Sequence, residues 1–101
     1  MTGDSRAALL EGWRVHLAEG RRRSLHTVRA YVSTAERLLD WMAEMDGRAP
    51  SPEAIAKLTT SDLRAYLATR RAEGIGNSSA ARELSALRAF LRFVGGGGAM
   101  I

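Results

Sequence analysis

Arginine and hydroxyl side chains recur along one side of the segment 77–94, NSSAARELSALRAFLRFV. A helical period of 3.6 residues predicts a helix with an apolar stripe that faces a core. The stripe comprises Ala80, Leu84, Leu87, Leu91 and Val94. The opposite side carries Arg82, Ser85, Ala89 and Arg92. Small residues between guanidinium groups allow a helix surface to approach a phosphate backbone closely, so this side is suited to phosphate contacts.

A second basic segment occupies positions 21–29. Its polar residues are Arg21, Arg22, Arg23, Ser24, Thr27 and Arg29. Ser24 is placed to cap the next helix with its side-chain oxygen, which would leave its hydroxyl proton available to a ligand. Ser24 and Thr27 would then lie near a helix N-terminus, where an anion is favoured.

Two other interpretations remain open. The arginines of segment 77–94 can be the solvated face of a surface helix, without a ligand. Alternatively, the chain is a helical protein-interaction module in which exposed Phe93, Trp41 and an alanine face bind a partner. A largely apolar interface of that kind would respond little to salt, whereas phosphate contacts would weaken strongly.

Composition limits the classes of function. With 101 residues the chain is expected to form one domain, too small for a core and a separate catalytic lobe. Lysine and arginine number 15 against 11 acidic residues, and the net charge of +4 favours a polyanionic partner. The absence of cysteine excludes disulfides and thiolate chemistry.

No catalytic group, metal site or cofactor site is expected. His16 and His26 are interpreted as solvated or helix-capping side chains. The N-terminal residues lack the pattern of a signal peptide, and no apolar run is long enough to span a bilayer. We therefore expect a soluble, cytoplasmic protein without a membrane partner.

The spacing of apolar residues predicts an all-α domain, a compact bundle of four main helices plus one short helix. A first helix is expected over about 4–19, with Leu9 or Leu10, Trp13 and Leu17 buried. Gly20 is expected to end it in a left-handed conformation. A second helix follows the Ser24 cap. Its apolar stripe comprises Val28, Tyr31, Val32, Ala35, Leu38, Leu39 and Met42.

Further capping signals mark the remaining helices. Pro52 is expected at the first position of a short helix that ends near Lys57. Thr59 or Thr60 would cap the next helix, with Asp62 in its first turn. Its inward-facing residues are Leu63, Tyr66 and Leu67. Gly74 and Gly76 precede the last helix. The domain is assigned to 4–94, and 95–101 to a flexible tail or the start of a linker.

Four motifs occur in a recognisable order. They are Ser24-x-x-Thr27-x-x-x-Tyr31, Leu58-Thr59 with Asp62-Leu63-x-x-Tyr66-Leu67, Gly74-x-x-x-Ser78, and the run RELSALRAF at 82–90. From about Leu9 to Val94 the chain resembles the N-terminal core-binding domain of tyrosine recombinases, the Xer and phage-integrase group. The run at 82–90 is the most specific of the four motifs.

The resemblance implies a SAM-like helical bundle that forms half of a clamp around DNA. A larger C-terminal domain of the same parent chain, absent here, would carry the strand-cleaving tyrosine, so this chain would not itself be an enzyme. The expected partners are duplex DNA, that catalytic domain and other recombinase protomers on the DNA. The start of the second helix and the last helix would face the major groove and its phosphates. The expected DNA contacts are Arg21, Arg22, Arg23, Ser24, Thr27, Arg29, Ser78, Arg82, Ser85, Arg88 and Arg92.

Two features run against a simple assignment. Glu83 is expected on the flank of the last helix, where its charge would weaken the basic face locally. His26 and Arg29 have the H-x-x-R spacing of the recombinase catalytic domain. We interpret this spacing as coincidental, and Tyr31 as a core tyrosine with its hydroxyl near the surface, because the remaining catalytic residues would need a separate domain.

Overall fold

A computed structural model describes residues 3–95, and over this range the chain contains helices and no strand. The all-α prediction is therefore confirmed. The predicted tail falls largely outside the described residues. Between residues 3 and 95, no helix is long and apolar enough to cross a membrane.

The helices form two compact units, divided between Ser51 and Pro52. In the first unit, α1 spans Gly3–Val15 and continues as a π-helical turn at His16–Gly20, and α2 spans Leu25–Asp46. In the second unit, α3 spans Pro52–Ala56, α4 spans Thr60–Ala72 and α5 spans Asn77–Val94. These are the four main helices and the one short helix predicted from the sequence.

Side-chain caps define the starts of α2 and α4 as predicted. Ser24 accepts a hydrogen bond from the backbone N–H of Thr27 at 3.1 Å. Thr59 accepts one from the N–H of Asp62 at 3.1 Å, and the Asp62 carboxylate accepts one from the N–H of Thr59 at 2.8 Å. This reciprocal pair satisfies two helix-terminal donors, which fixes where α4 begins. Gly47 ends α2 in the left-handed region, at φ 74°.

The end of the first helix differs from the prediction. The left-handed residue is Arg22, at φ 53°, and not Gly20. The cause is the π-helical turn, in which the N–H of Arg21 bonds to the carbonyl of His16 at 2.9 Å. This wider turn delays the chain reversal by two residues, and the N–H of Arg23 then reaches the carbonyl of Leu17 at 2.9 Å. A non-glycine residue in this conformation costs about 1–2 kcal/mol.

The first unit buries one face of each of its two long helices. Its buried apolar residues are Trp13, Leu17, Val28, Ala35, Leu38, Leu39 and Met42. Tyr31 and Val32, predicted on the same stripe, are half-buried, as are Leu9 and Leu10. On the surface of this unit, Arg6 forms an ion pair with Asp40 at 2.8 Å.

In the second unit the buried face of α5 is rotated from the predicted stripe. Its buried residues are Ala80, Glu83, Ala86, Leu87, Phe90 and Leu91. Leu84, predicted to be almost fully buried, is only half-buried, and so is Val94. At about 100° per residue the centre of the buried face lies about 40° from the predicted one, toward Glu83 and Phe90. In α3 and α4, Ile55, Leu63 and Tyr66 are buried as well.

Trp13 provides a spectroscopic test of the first unit. Its side chain is 1% exposed, whereas the second tryptophan, Trp41, is half-buried. In a Trp41→Phe variant, we expect Trp13 fluorescence to be blue-shifted in the native state and to move to the red on unfolding in urea. A solvent-like emission maximum from the folded variant, with native helicity by circular dichroism, would contradict the burial of Trp13.

Candidate nucleic-acid interface

The segment before α2 places three arginines on the surface. Arg21, Arg22 and Arg23 are all exposed, and Arg29 is exposed one turn into α2. Between positions 21 and 35 the sequence has no aspartate or glutamate. The start of α2 therefore carries uncompensated positive charge.

The Ser24 hydroxyl is more engaged than the sequence indicated. It caps α2 as predicted, but it also donates a hydrogen bond to the Thr27 hydroxyl oxygen at 3.0 Å. The expectation that its proton stays available to a ligand is therefore wrong, because Thr27 lies one turn away and accepts it. The Thr27 hydroxyl, half-buried, retains its own proton as a donor.

On α5 the predicted polar side is exposed. Ser78, Arg82, Ser85, Arg88 and Arg92 are all at the surface, and Ala89 is half-buried. The rotation of the buried face changes their roles. Ser85 and Arg92 lie almost directly opposite the core, whereas Arg82 and Arg88 flank this line on either side. Arg82 reaches back to the Ser79 hydroxyl at 3.4 Å.

In the part of the chain that the structure describes, the arginines at the start of α2 and on the exposed side of α5 lack carboxylate partners, unlike several arginines elsewhere. Among the described side chains, none of the seven predicted DNA-contacting arginines lies within ion-pair distance of a carboxylate. Arg6, Arg14 and Arg70 are in ion pairs. Arg48 and Arg64 resemble the seven in being exposed and without such a pair among the described residues, which makes them matched controls.

The N-terminal turns of α2 and α5 share a further property. Neither contains an acidic residue, whereas the first turns of α3 and α4 contain Glu53 and Asp62. The N-cap of α5 is Gly76, which has no side chain to accept a hydrogen bond. Arg71 donates to the Asn77 side-chain oxygen at 2.6 Å, which places a cation beside this turn. Both helix starts thus present positive potential without a compensating carboxylate from their own first turn.

Glu83 does not lie on the flank of α5, as the sequence had suggested. It is buried, 7% exposed, and its two carboxylate oxygens accept hydrogen bonds from Arg70 Nε and Nη2 at 3.1 and 2.9 Å. The Tyr66 hydroxyl donates to Oε1 at 3.1 Å. Hydrogen bonding to Glu83 raises the pKa of Arg70 well above its usual value. Glu83 is thus paired with Arg70 on the buried side of α5 and does not lie on its exposed side.

Two other expectations change with the structure. Trp41 and Phe93, proposed as exposed anchors of a protein interface, are half-buried. Among the side chains that the structure describes, the large exposed apolar ones are instead Leu25 and Met45. His16, expected to be solvated or capping, is half-buried and stacks on Trp13 with a ring-centroid distance of 5.7 Å. His26 and Arg29, which have the H-x-x-R spacing, are both exposed on α2.

Comparison with known families assigns the fold. Residues 10–95 match the family model of the phage integrase N-terminal SAM-like domain. The chain belongs to this family. The SAM-like resemblance of the sequence is thus confirmed over the part of the chain that contains both arginine surfaces.

Curated relatives of this SAM-like domain are named tyrosine recombinase XerC. The protein from Mesorhizobium japonicum is 38% identical over 87 residues, which cover 86% of this chain and 28% of that protein. The protein from Methylobacterium sp. (strain 4-46) is 42% identical over 80 residues, which cover 79% of this chain and 25% of that protein. The protein from Agrobacterium fabrum is 40% identical over 81 residues, covering 80% and 26%. The chain therefore spans about a quarter of the length of these relatives, and no solved structure matches it.

Proposed function

We propose that this chain is the DNA-binding clamp domain of a tyrosine site-specific recombinase, and that it contacts duplex DNA through the start of α2 and the exposed side of α5. The observation that carries the proposal is the state of seven arginines. They are exposed, they lie on these two surfaces, and they form no ion pair among the described side chains. The list is Arg21, Arg22, Arg23, Arg29, Arg82, Arg88 and Arg92.

The physical basis of binding is phosphate neutralisation. Each arginine that contacts a phosphate displaces a condensed counterion, so affinity decreases as the salt concentration rises. The N-terminal turn of α2 and that of α5 each add backbone N–H donors that favour an anion. Ser78, before Arg82, and Ser85, between Arg82 and Arg88, offer exposed hydroxyls, and their small side chains allow the helix to approach a phosphate backbone closely. Thr27 adds a donor at the start of α2.

The three arginines of α5 occupy different positions around the helix relative to the core. Arg92, opposite the core, is placed for the centre of a contact surface, and Arg82 and Arg88 are placed for its two margins. A bidentate arginine–guanine contact in the major groove would discriminate by about 1–3 kcal/mol per base pair. We propose phosphate contacts for all three arginines of α5. Base contacts are proposed only for Arg82 and Arg88, where one of them faces the major groove.

For the parent protein we propose strand cleavage and rejoining by a C-terminal catalytic domain. The support is that relatives named tyrosine recombinase are about four times the length matched by this chain. In that arrangement this domain holds one side of the duplex, and other recombinase protomers occupy adjacent sites on the same DNA. The domain binds and does not cut.

Binding to duplex DNA is measured by fluorescence anisotropy over a range of salt concentrations. We expect a Kd of about 10⁻⁴ to 10⁻⁶ M at physiological salt, the range of largely non-specific contacts. Arg82→Ala, Arg88→Ala and Arg92→Ala should each weaken binding and reduce the slope of log K against log salt by about 1, the loss of one phosphate contact.

Arg48→Ala and Arg64→Ala are the matched controls, because each removes one exposed arginine from outside the two surfaces. Both should leave the salt slope unchanged. In an NMR titration, shift changes should cluster at 21–29 and 78–92. Equal effects of control and surface variants would mean that binding depends on net charge alone. Shift changes centred on Trp41 and Phe93, or none at low salt, would refute the DNA-binding proposal.

A further inference from the structure

Leu25 is an apolar side chain in an otherwise basic surface. It is the first residue of α2 and 64% exposed. The four arginines of segment 21–29 surround it in sequence. Leucine is a good helix former, so Leu25 is compatible with the stability of α2. Its distinguishing feature is its setting, an exposed apolar side chain close in sequence to four exposed arginines.

Leu25 continues into an apolar groove within the first unit. The groove has a volume of about 570 Å³, and its apolar lining includes Ala18, Val28 and Val32. Its polar lining comprises Arg14, Arg23, Arg29 and Ser33, and Arg14 is paired with Glu11. Arg23 and Arg29 have no ion-pair partner among the described side chains. The groove thus combines an apolar lining with two cations that are available to a ligand.

This combination selects the chemistry of the ligand. An apolar partner without charge would bury Arg23 and Arg29 without a counter-charge, which is costly. A polyanion with small apolar groups at fixed positions satisfies both requirements. In the major groove of DNA, the only apolar group that the base pairs present is the 5-methyl of thymine, and it lies between two phosphate backbones.

We propose that Leu25 contacts thymine 5-methyl groups in the major groove, while Arg23 and Arg29 bind the phosphates on either side. This inference rests on the proposed DNA-binding function and adds a base preference to it. Leu25 is then a specificity-determining residue: it makes A·T pairs with a methyl group in the groove more favourable than pairs without one.

Uracil provides the test, because it lacks only the methyl group. The full chain is titrated with two duplexes of identical sequence, one with thymine and one with deoxyuridine at every A·T pair. Burial of one methyl should give about three- to fivefold tighter binding to the thymine duplex. Leu25→Ala should remove this ratio. Met45→Ala, which truncates the other large exposed apolar side chain of α2, should preserve it.

The possible outcomes distinguish the contact between Leu25 and the thymine methyl from the DNA-binding function on which it rests. Equal affinity of the native chain for both duplexes would overturn the methyl contact and leave DNA binding intact. A thymine preference that survives in Leu25→Ala would overturn the role of Leu25 and assign the preference to duplex shape. No binding to either duplex at low salt would remove the proposed function itself. Concentration-dependent self-association that Leu25→Ala abolishes, with equal affinity for the two duplexes, would assign the groove to a protein partner instead.

Discussion

Glu83→Ala is expected to lower the free energy of unfolding by about 3 kcal/mol, near the lower end of the range for breaking a buried ion pair. The substitution would leave Arg70, whose side chain is 19% exposed, without the carboxylate that its Nε and Nη2 contact. Arg70 would keep one partner, Glu73, at 2.7 Å from Nη1. This remaining pair and the partial exposure of Arg70 place the expected cost at the low end. The measurement is the urea midpoint at constant m-value.

Two conservative variants separate the contributions of the Glu83 charge and of the Tyr66 hydrogen bond to the free energy of unfolding. Glu83→Gln keeps the length of the side chain and an oxygen for the Tyr66 hydroxyl, but it removes the charge that Arg70 faces. It should cost about 1.5–3 kcal/mol, the value of a hydrogen bond to a charged group. Tyr66→Phe removes the hydroxyl that donates to Oε1 and leaves the charge pair in place, so it should cost about 1.5 kcal/mol, the lower end of the same range. We expect Glu83→Ala to cost more than either of these variants.

A double variant tests the charge itself. Glu83→Met combined with Arg70→Met removes both charges and replaces them with apolar side chains of similar length. Glu73 loses its partner but is exposed, and no buried charge is left unpaired, so this variant should be more stable than Glu83→Ala. If Glu83→Ala changed stability by less than about half a kcal/mol, Glu83 would be solvated on the flank of α5, as its sequence alone suggests.

The sequence predicted the helix boundaries best where a local interaction determines them. Ser24, Thr59 with Asp62, and Gly47 act through hydrogen bonds or backbone angles within a few residues, and each functions in the structure as its residue type indicates. Gly20 was misassigned because the π-helical turn moves the reversal to Arg22. Residue preferences do not encode that turn, whose first residue, His16, stacks on Trp13.

The buried face of α5 could not be placed from the apolar pattern alone. Two faces fit a 3.6-residue period, one through Leu84 and one through Glu83 and Phe90. An acidic residue argues for the solvent side, so the sequence favours the first. The second becomes stable only because Tyr66 and Arg70, one turn apart on α4, supply donors to the carboxylate. The spacing of Tyr66 and Arg70 was the available signal, but their partner on α5 lies 13 residues from Arg70 along the chain.

The exposure of the seven proposed DNA-contacting arginines was predicted more completely than the core. All seven lie at the surface, and the rotation of α5 changed only which of those on that helix lies farthest from the core. Leu25 was missed since sequence reasoning assigns apolar residues to the interior. Leu25 lies three residues before Val28 and seven before Val32, so the helical period places it on the buried stripe, and only its place in the first turn of α2 distinguishes it from the core residues.

Leu87→Ala is expected to lower the free energy of unfolding by about 2–5 kcal/mol, whereas Leu84→Ala should cost about 1 kcal/mol. Both substitutions remove the same atoms from the interior of the same helix, so propensity and capping contribute equally. They differ in burial, because Leu87 is 0% exposed and Leu84 is half-buried. The difference between the two urea midpoints therefore reports the orientation of α5. If the two variants lost equal stability, the buried face would be centred on the stripe that the sequence predicts, and Ser85 and Arg92 would no longer be the residues farthest from the core.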